Sequence, residues 1–189
     1  GSRFARPVNV GQLKRYAKFS AGEIEIMSGH YHLELSFELH EAASPQLVKA
    51  FELASTKNYS KIATLTELPP DIIEALQWPH EDDKLDYMPG EARTHIAHRY
   101  LHSQNGKDFF FHTVNFRHYI REAFLFNFGY SLIAWFASVS HSSRFVGYLH
   151  NIATPDPELI YFENGAAVFW DLAENKKSRI TFAELNSSS

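Results

Sequence analysis

Tyr31-His32-Leu33-Glu34-Leu35-Ser36-Phe37-Glu38-Leu39 is the stretch that decides the fold. Apolar side chains stand at every second position, and His32, Glu34, Ser36 and Glu38 fill the positions between. A period of two sends alternate side chains to opposite faces, which is the pattern of a half-buried strand. Ser44-Pro45 follows it. A serine that can accept from the first helical N–H groups, then a proline preset for the first turn, opens a helix. Leu47, Phe51 and Leu53 mark its apolar face, and the helix is expected to end near Asn58. Residues 59–68 read as irregular. Pro69-Pro70-Asp71 opens a short helix holding Ile72, Ile73, Ala75 and Leu76, which Pro79 ends.

After an acidic loop at 79–91 the chain reads as a hairpin. Residues 93–103 and 108–117 are rich in aromatics and flank Gln104-Asn105-Gly106-Lys107. Asn-Gly suits the left-handed positions of a two-residue hairpin turn. That turn pairs Ser103 with Asp108, Leu101 with Phe110, and Ala97 with Val114. One face then carries Ala97, Leu101, Phe110, Val114 and Phe116 and is expected to be the core. The opposite face carries His98, Tyr100, His102, Phe109, Phe111 and Thr113.

Residues 119–140 read as the longest helix. It has no formal charge from Ala123 to Val139, but it falls short of the roughly 20 apolar residues a membrane span needs. Asn127, Gly129, Ser131 and Ser138 interrupt it, so a central helix packed on a sheet is the expectation. Phe124 and Phe128 are assigned to the core. Three strands follow at 144–150, 158–163 and 166–171, the last two joined at Asn164-Gly165, and a further strand is placed at 179–183. The fold class is α+β. Its order gives a ferredoxin-like βαββαβ core with extra C-terminal antiparallel strands. Those strands either extend the sheet or fold over its helix-free face. The expected organisation is a basic arm at 1–26, one domain at 27–185 and a disordered tail at 186–189.

The 189 residues include no cysteine, which removes disulfides, thiolate-bound zinc and thiol catalysis. Net charge is −4, unevenly placed. Arg3, Arg6, Lys14, Arg15 and Lys18 lie in a first stretch of 22 residues with no acid, so the body is more acidic than the total suggests. An acidic body argues against nucleic acid as a partner, because phosphate contacts need concentrated positive charge. No secretory signal is visible, and a cytoplasmic location is expected.

The strand and helix at Leu33–Leu39 and Pro45–Phe51, with Phe145-Val-Gly-Tyr-Leu149, Pro157-Glu-Leu-Ile-Tyr-Phe162 and Asn164-Gly165, resemble a set of small uncharacterised bacterial proteins of accessory or mobile genes. The resemblance covers roughly residues 30–170. It implies the α+β class and a bacterial cytoplasmic protein, and it brings no catalytic residues.

Two constellations remain. On the expected hairpin face, His32, Glu34, His98 and His102 converge, and imidazole with carboxylate suits zinc or a non-haem metal. Eleven histidines also form such groups by chance, and solvated surface histidines are the simpler reading. Tyr100, Phe109 and Phe111 form an aromatic patch on the same face. Aromatics on adjacent strands can stack bases, but Glu34 and Glu38 there would repel phosphates. Cover by the C-terminal strands or by a second subunit is the expectation, since an exposed apolar patch usually marks contact. Glu81, Asp82, Asp83 and Asp86 lack calcium-loop spacing. Ser131 is not in a G-x-S-x-G elbow, and no phosphate-binding glycine motif occurs.

The leading functional expectation is therefore a non-enzymatic binding or interaction protein, paired with another protein or with itself as a homodimer, and without a cofactor. The alternatives are a small metal-dependent hydrolase using the histidines, and a binder of small apolar ligands.

Overall fold

A computed structural model describes residues 29–40, 43–77, 93–102 and 108–186; for 100–102 and 108–110 it describes the backbone alone. The basic arm, the acidic loop at 79–91, the Asn105-Gly106 turn and residues 187–189 lie outside the described residues.

The protein is α+β. Seven antiparallel strands form one sheet: β1 (His30–Glu38), β2 (Arg93–His102), β3 (Asp108–Arg121), β4 (Phe145–Asn151), β5 (Glu158–Glu163), β6 (Ala166–Asp171) and β7 (Lys176–Thr181). Their order is β2-β3-β1-β4-β5-β6-β7. The helices are α1 (Pro45–Ser55), α2 (Tyr59–Ile62), α3 (Pro70–Gln77), α4 (Glu122–Val139) and α5 (Phe182–Asn186). The C-terminal strands extend the sheet beyond β4 and do not fold back over it.

β1 follows its alternation. Leu33, Leu35, Phe37 and Leu39 are at most 2% exposed. They face the helices, while His32, Glu34, Ser36 and Glu38 point to the other side. α1 begins as its sequence dictates: the Ser44 hydroxyl accepts from the Leu47 N–H at 3.2 Å, and Pro45 occupies the first turn. α1 ends at Ser55, and part of the stretch expected to be irregular forms α2. The Ser55 hydroxyl then accepts from the Ile96 N–H at 3.1 Å. β2 is the sheet edge, and this bond occupies a backbone donor that would otherwise be open to another strand.

Three expectations need correction. The hairpin register is shifted by one residue: Ile96 pairs with Val114, Tyr100 with Phe110 and His102 with Asp108. Five residues, not four, separate the last pair. A slip of one exchanges the faces of a strand. Thr94 and Ile96 are therefore buried under the helices, and Ala97 lies on the other side. Second, β3 runs on to Arg121. Tyr119 and Ile120 pair with His32 and Tyr31, so α4 starts at Glu122 rather than near residue 119. Third, the strand expected at 179–183 lies at Lys176–Thr181 and gives way to a helical turn that includes Asn186.

α4 carries a π-helical segment at Leu125–Gly129, where the Tyr130 N–H bonds the Leu125 carbonyl, then regular helix. By length and composition alone it could cross a membrane. Here Leu132–Ala137 are buried in the core. Phe136 lies 5.0 Å from Phe37, 5.3 Å from Phe116 and 5.7 Å from Phe51, ring centre to ring centre. Such aromatic pairs contribute about 1 kcal/mol each beyond the area they bury. Phe116 and Phe124 are buried as expected, and Phe128 packs on the core margin. All the apolar packing of the helices falls on one face of the sheet.

Candidate binding face

Among the described residues no helix or strand packs on the opposite face. Strand register fixes what it carries. Around the centre, β1 contributes His32 and Glu34, β3 contributes Tyr119 and Arg117 directly opposite them, and β4 contributes His150 and Tyr148 on the other side.

These side chains form one network. The Arg117 Nε–H donates to His32 Nε2 at 3.3 Å. That leaves the His32 proton on Nδ1, which faces the Tyr148 hydroxyl oxygen at 3.4 Å. The Tyr148 hydroxyl in turn donates to a Glu34 carboxylate oxygen at 3.2 Å. Tyr119 stacks on the His32 ring at 4.9 Å. Burial first, and the Arg117 charge second, hold His32 below its ordinary pKa, partly offset by Glu34. His32 and Glu34 approach to 3.7 Å, but a neutral imidazole makes this a polar contact and not an ion pair. The Tyr148 hydroxyl is pushed up by burial and by Glu34. Glu34 is also 3.7 Å from Arg117 Nε, and Glu38 accepts from Arg144 at 3.2 Å. Each acid at the centre of the face is thus matched by an arginine.

Toward β7 the face becomes an aromatic ladder. Phe145 is 49% exposed and meets Tyr161 edge-on at 5.6 Å. Tyr161 is 6.2 Å from Trp170. Lys177, opposite Trp170 in the register, places its ammonium 4.6 Å from the Trp170 ring centre and 5.8 Å from that of Tyr161. Arg179 follows on the same strand face.

The four residues proposed from sequence as metal ligands are not brought together. His32 and Glu34 belong to the helix-free face. His98 lies on the helix side, where its Nε2 is 3.8 Å from Glu52 of α1 and its Nδ1 is 2.8 Å from His112 Nδ1. His102 shares that register face through its pairing with Asp108, and its side chain lies outside the described residues. The physical reason is the one-residue register. Among the described residues no group of three or more His, Asp or Glu side chains can hold a metal. The aromatic patch proposed from sequence divides in the same way. Phe111 pairs with Arg99 and lies on the helix-free face, as the register also places Phe109. Tyr100 pairs with Phe110 on the helix side. The side chains of Tyr100 and Phe109 lie outside the described residues.

Sequence reasoning missed Tyr148, Tyr161, Trp170, Arg117 and Lys177. The signal was available for the C-terminal group: Leu159, Tyr161 and Glu163 alternate with Ile160 and Phe162, and Asn164-Gly165 fixes the register of the next strand.

A separate cleft of about 320 Å³ lies on the helix side. His40, Ser44, Leu47, Leu68, Trp135 and Val139 are among its lining residues.

Comparison with protein-family models, with curated proteins and with solved structures gives no match. The class that fold and site define is an α+β protein with a seven-stranded antiparallel sheet, one face under helices and one bearing a polar and aromatic network.

Proposed function

We propose that this protein is a non-enzymatic binding module and that its working surface is the helix-free face of the sheet. The observation that carries this reading is the Phe145–Tyr161–Trp170 ladder, set beside cations and left uncovered by any described element. An aromatic cluster of this kind usually marks contact. The hydrogen bonds of His32, Tyr148, Glu34 and Arg117 close on one another, which suits a rigid recognition surface. A ferredoxin-like core within β1–β4 is part of the same reading. Its support is the order β2-β3-β1-β4, with α1–α3 connecting β1 to β2 and α4 connecting β3 to β4.

The test is a paired capture from cell extract with the wild-type chain, with Trp170→Ala/Lys177→Glu, and with the helix-side control Glu74→Lys. The reading predicts a species retained by wild type and control and lost by the sheet-face variant. Identical captured sets for all three would overturn it.

The cleft beside Trp135 favours a second reading, a binder of small apolar ligands. Thermal shift against a ligand panel tests it. A stabilising compound whose effect disappears in Leu47→Asp is expected, and a flat response throughout rejects it.

A further inference from the structure

We propose that the β4–β7 half of the helix-free face binds single-stranded nucleic acid, with bases stacking on the aromatic ladder and phosphates tracked by the cations beside it. The inference rests on the reading of that face as the working surface and names its partner.

Charge segregation carries the argument. Arg93, Arg99 and Arg117 lie on the β2–β3 half of the face, and Arg144, Lys177 and Arg179 on the β4–β7 half. Glu34, Glu38 and Glu163 oppose them there, with Glu184 beside Arg179, and the first two are met by Arg117 and Arg144. The opposite side and the loops hold Glu52, Glu67, Asp71, Glu74, Glu158 and Asp171 among others, against Lys49, Lys57, Lys61 and Lys176. A chain of net charge −4 thus presents a basic surface on one side. Glu34 and Glu38, the acids that argue against phosphate binding in the sequence, are neutralised in place.

The aromatics decide the kind of polyanion. Phe145, Tyr161 and Trp170 offer adjacent rings at spacings of 5.6 and 6.2 Å. Unpaired bases stack on such rings with little regard to sequence, while a duplex keeps its bases inside. A second copy of this chain fits less well: a two-fold contact through this face would set basic residues against basic residues.

The experiment is fluorescence anisotropy of a labelled oligothymidine of about 15 nucleotides with the full chain. Affinity should fall steeply between about 50 and 200 mM salt, and a duplex of equal length and heparin should both bind more weakly. Trp170→Ala should lose roughly tenfold in affinity. Lys177→Glu/Arg179→Glu should weaken binding and flatten the salt dependence, by roughly 0.7 in slope for each phosphate no longer neutralised. Melting curves establish that each variant is folded, and Tyr161→Ala replaces Trp170→Ala if that variant is not. Absence of binding at low salt overturns the proposal. So does a Trp170→Ala variant that binds as wild type while heparin competes equally, because the attraction is then charge alone. If the oligonucleotide fails yet sheet-face variants still lose a captured protein, the nucleic-acid assignment falls and the working surface stands.

Discussion

Glu158 begins β5 with Asp171 directly across from it on β6. Burial first, and the Asp171 charge second, push its carboxyl up to about 7. Burial and Glu158 also raise the Tyr130 hydroxyl above its ordinary range. The sign of the consequence is fixed. The folded chain holds this proton over the window from about 4.5 to 7, where the unfolded chain has released it. Unfolding free energy therefore falls as pH rises through that window, by roughly 3 kcal/mol at most. Glu158→Gln is expected to raise stability by about 1–3 kcal/mol at pH 8, to change little near pH 5, and to flatten the profile between. Urea melts at a series of pH values check this, and a variant with an unchanged profile would place the titrating group elsewhere.

Two glycines separate steric from conformational cost at the scale of strands. Gly147 has φ 157°, and a Cβ there would fall 1.8 Å from the Glu34 carbonyl oxygen of β1. Gly147 pairs with Leu35 of β1 on one side, and on the other the pairing with β5 shifts register between Phe145 and Gly147. Gly147→Ala is expected to cost about 3 kcal/mol or more, since backbone cannot move aside cheaply. Gly165 has φ 73° with open space around it. Gly165→Ala is expected to cost only about 1–2 kcal/mol, the strain of a left-handed residue. Thermal denaturation ranks the pair, and equal losses would contradict the close approach of β1 and β4.

The two hairpins also show what was legible. Glu163 pairs with Ala166, and Asn164 and Gly165 both have positive φ, as an Asn-Gly turn of two residues requires. β5 and β6 carry enough buried side chains to agree with that turn. At the first hairpin an equally good Asn105-Gly106 suggested the wrong register. β2 offered no vote: Thr94, Ile96, His98 and Tyr100 are hardly more apolar than His95, Ala97, Arg99 and Leu101. Without an amphipathic pattern, one residue of loop length decides which side each histidine and arginine occupies.

The candidate site was misread for that reason, and the error propagates to the whole molecule. Arg93 and Arg99 reach the helix-free face only in the true register, and Arg117 and Arg144 reveal themselves as partners of Glu34 and Glu38 only once β3, β1 and the approach to β4 are side by side. Net charge read along the chain argued against a polyanion; charge read by face argues for one. Glu34→Gln removes an acid from the centre of the face and frees Arg117. It is expected to tighten oligonucleotide binding by about two- to fivefold at low salt, read by the same anisotropy titration. A loss of affinity would assign Glu34 a direct contact with the ligand instead.

The most direct test of the helix-free face as working surface is a map of backbone amide chemical-shift changes in the isotopically labelled protein, titrated with single-stranded oligothymidine. The account predicts changes concentrated at Phe145, Tyr148, Tyr161, Trp170, Lys177 and Arg179, with α1, α3 and α4 unaffected. No changes at low salt would overturn the nucleic-acid assignment alone, and changes centred on the cleft around Leu47 and Trp135 would contradict the working surface itself.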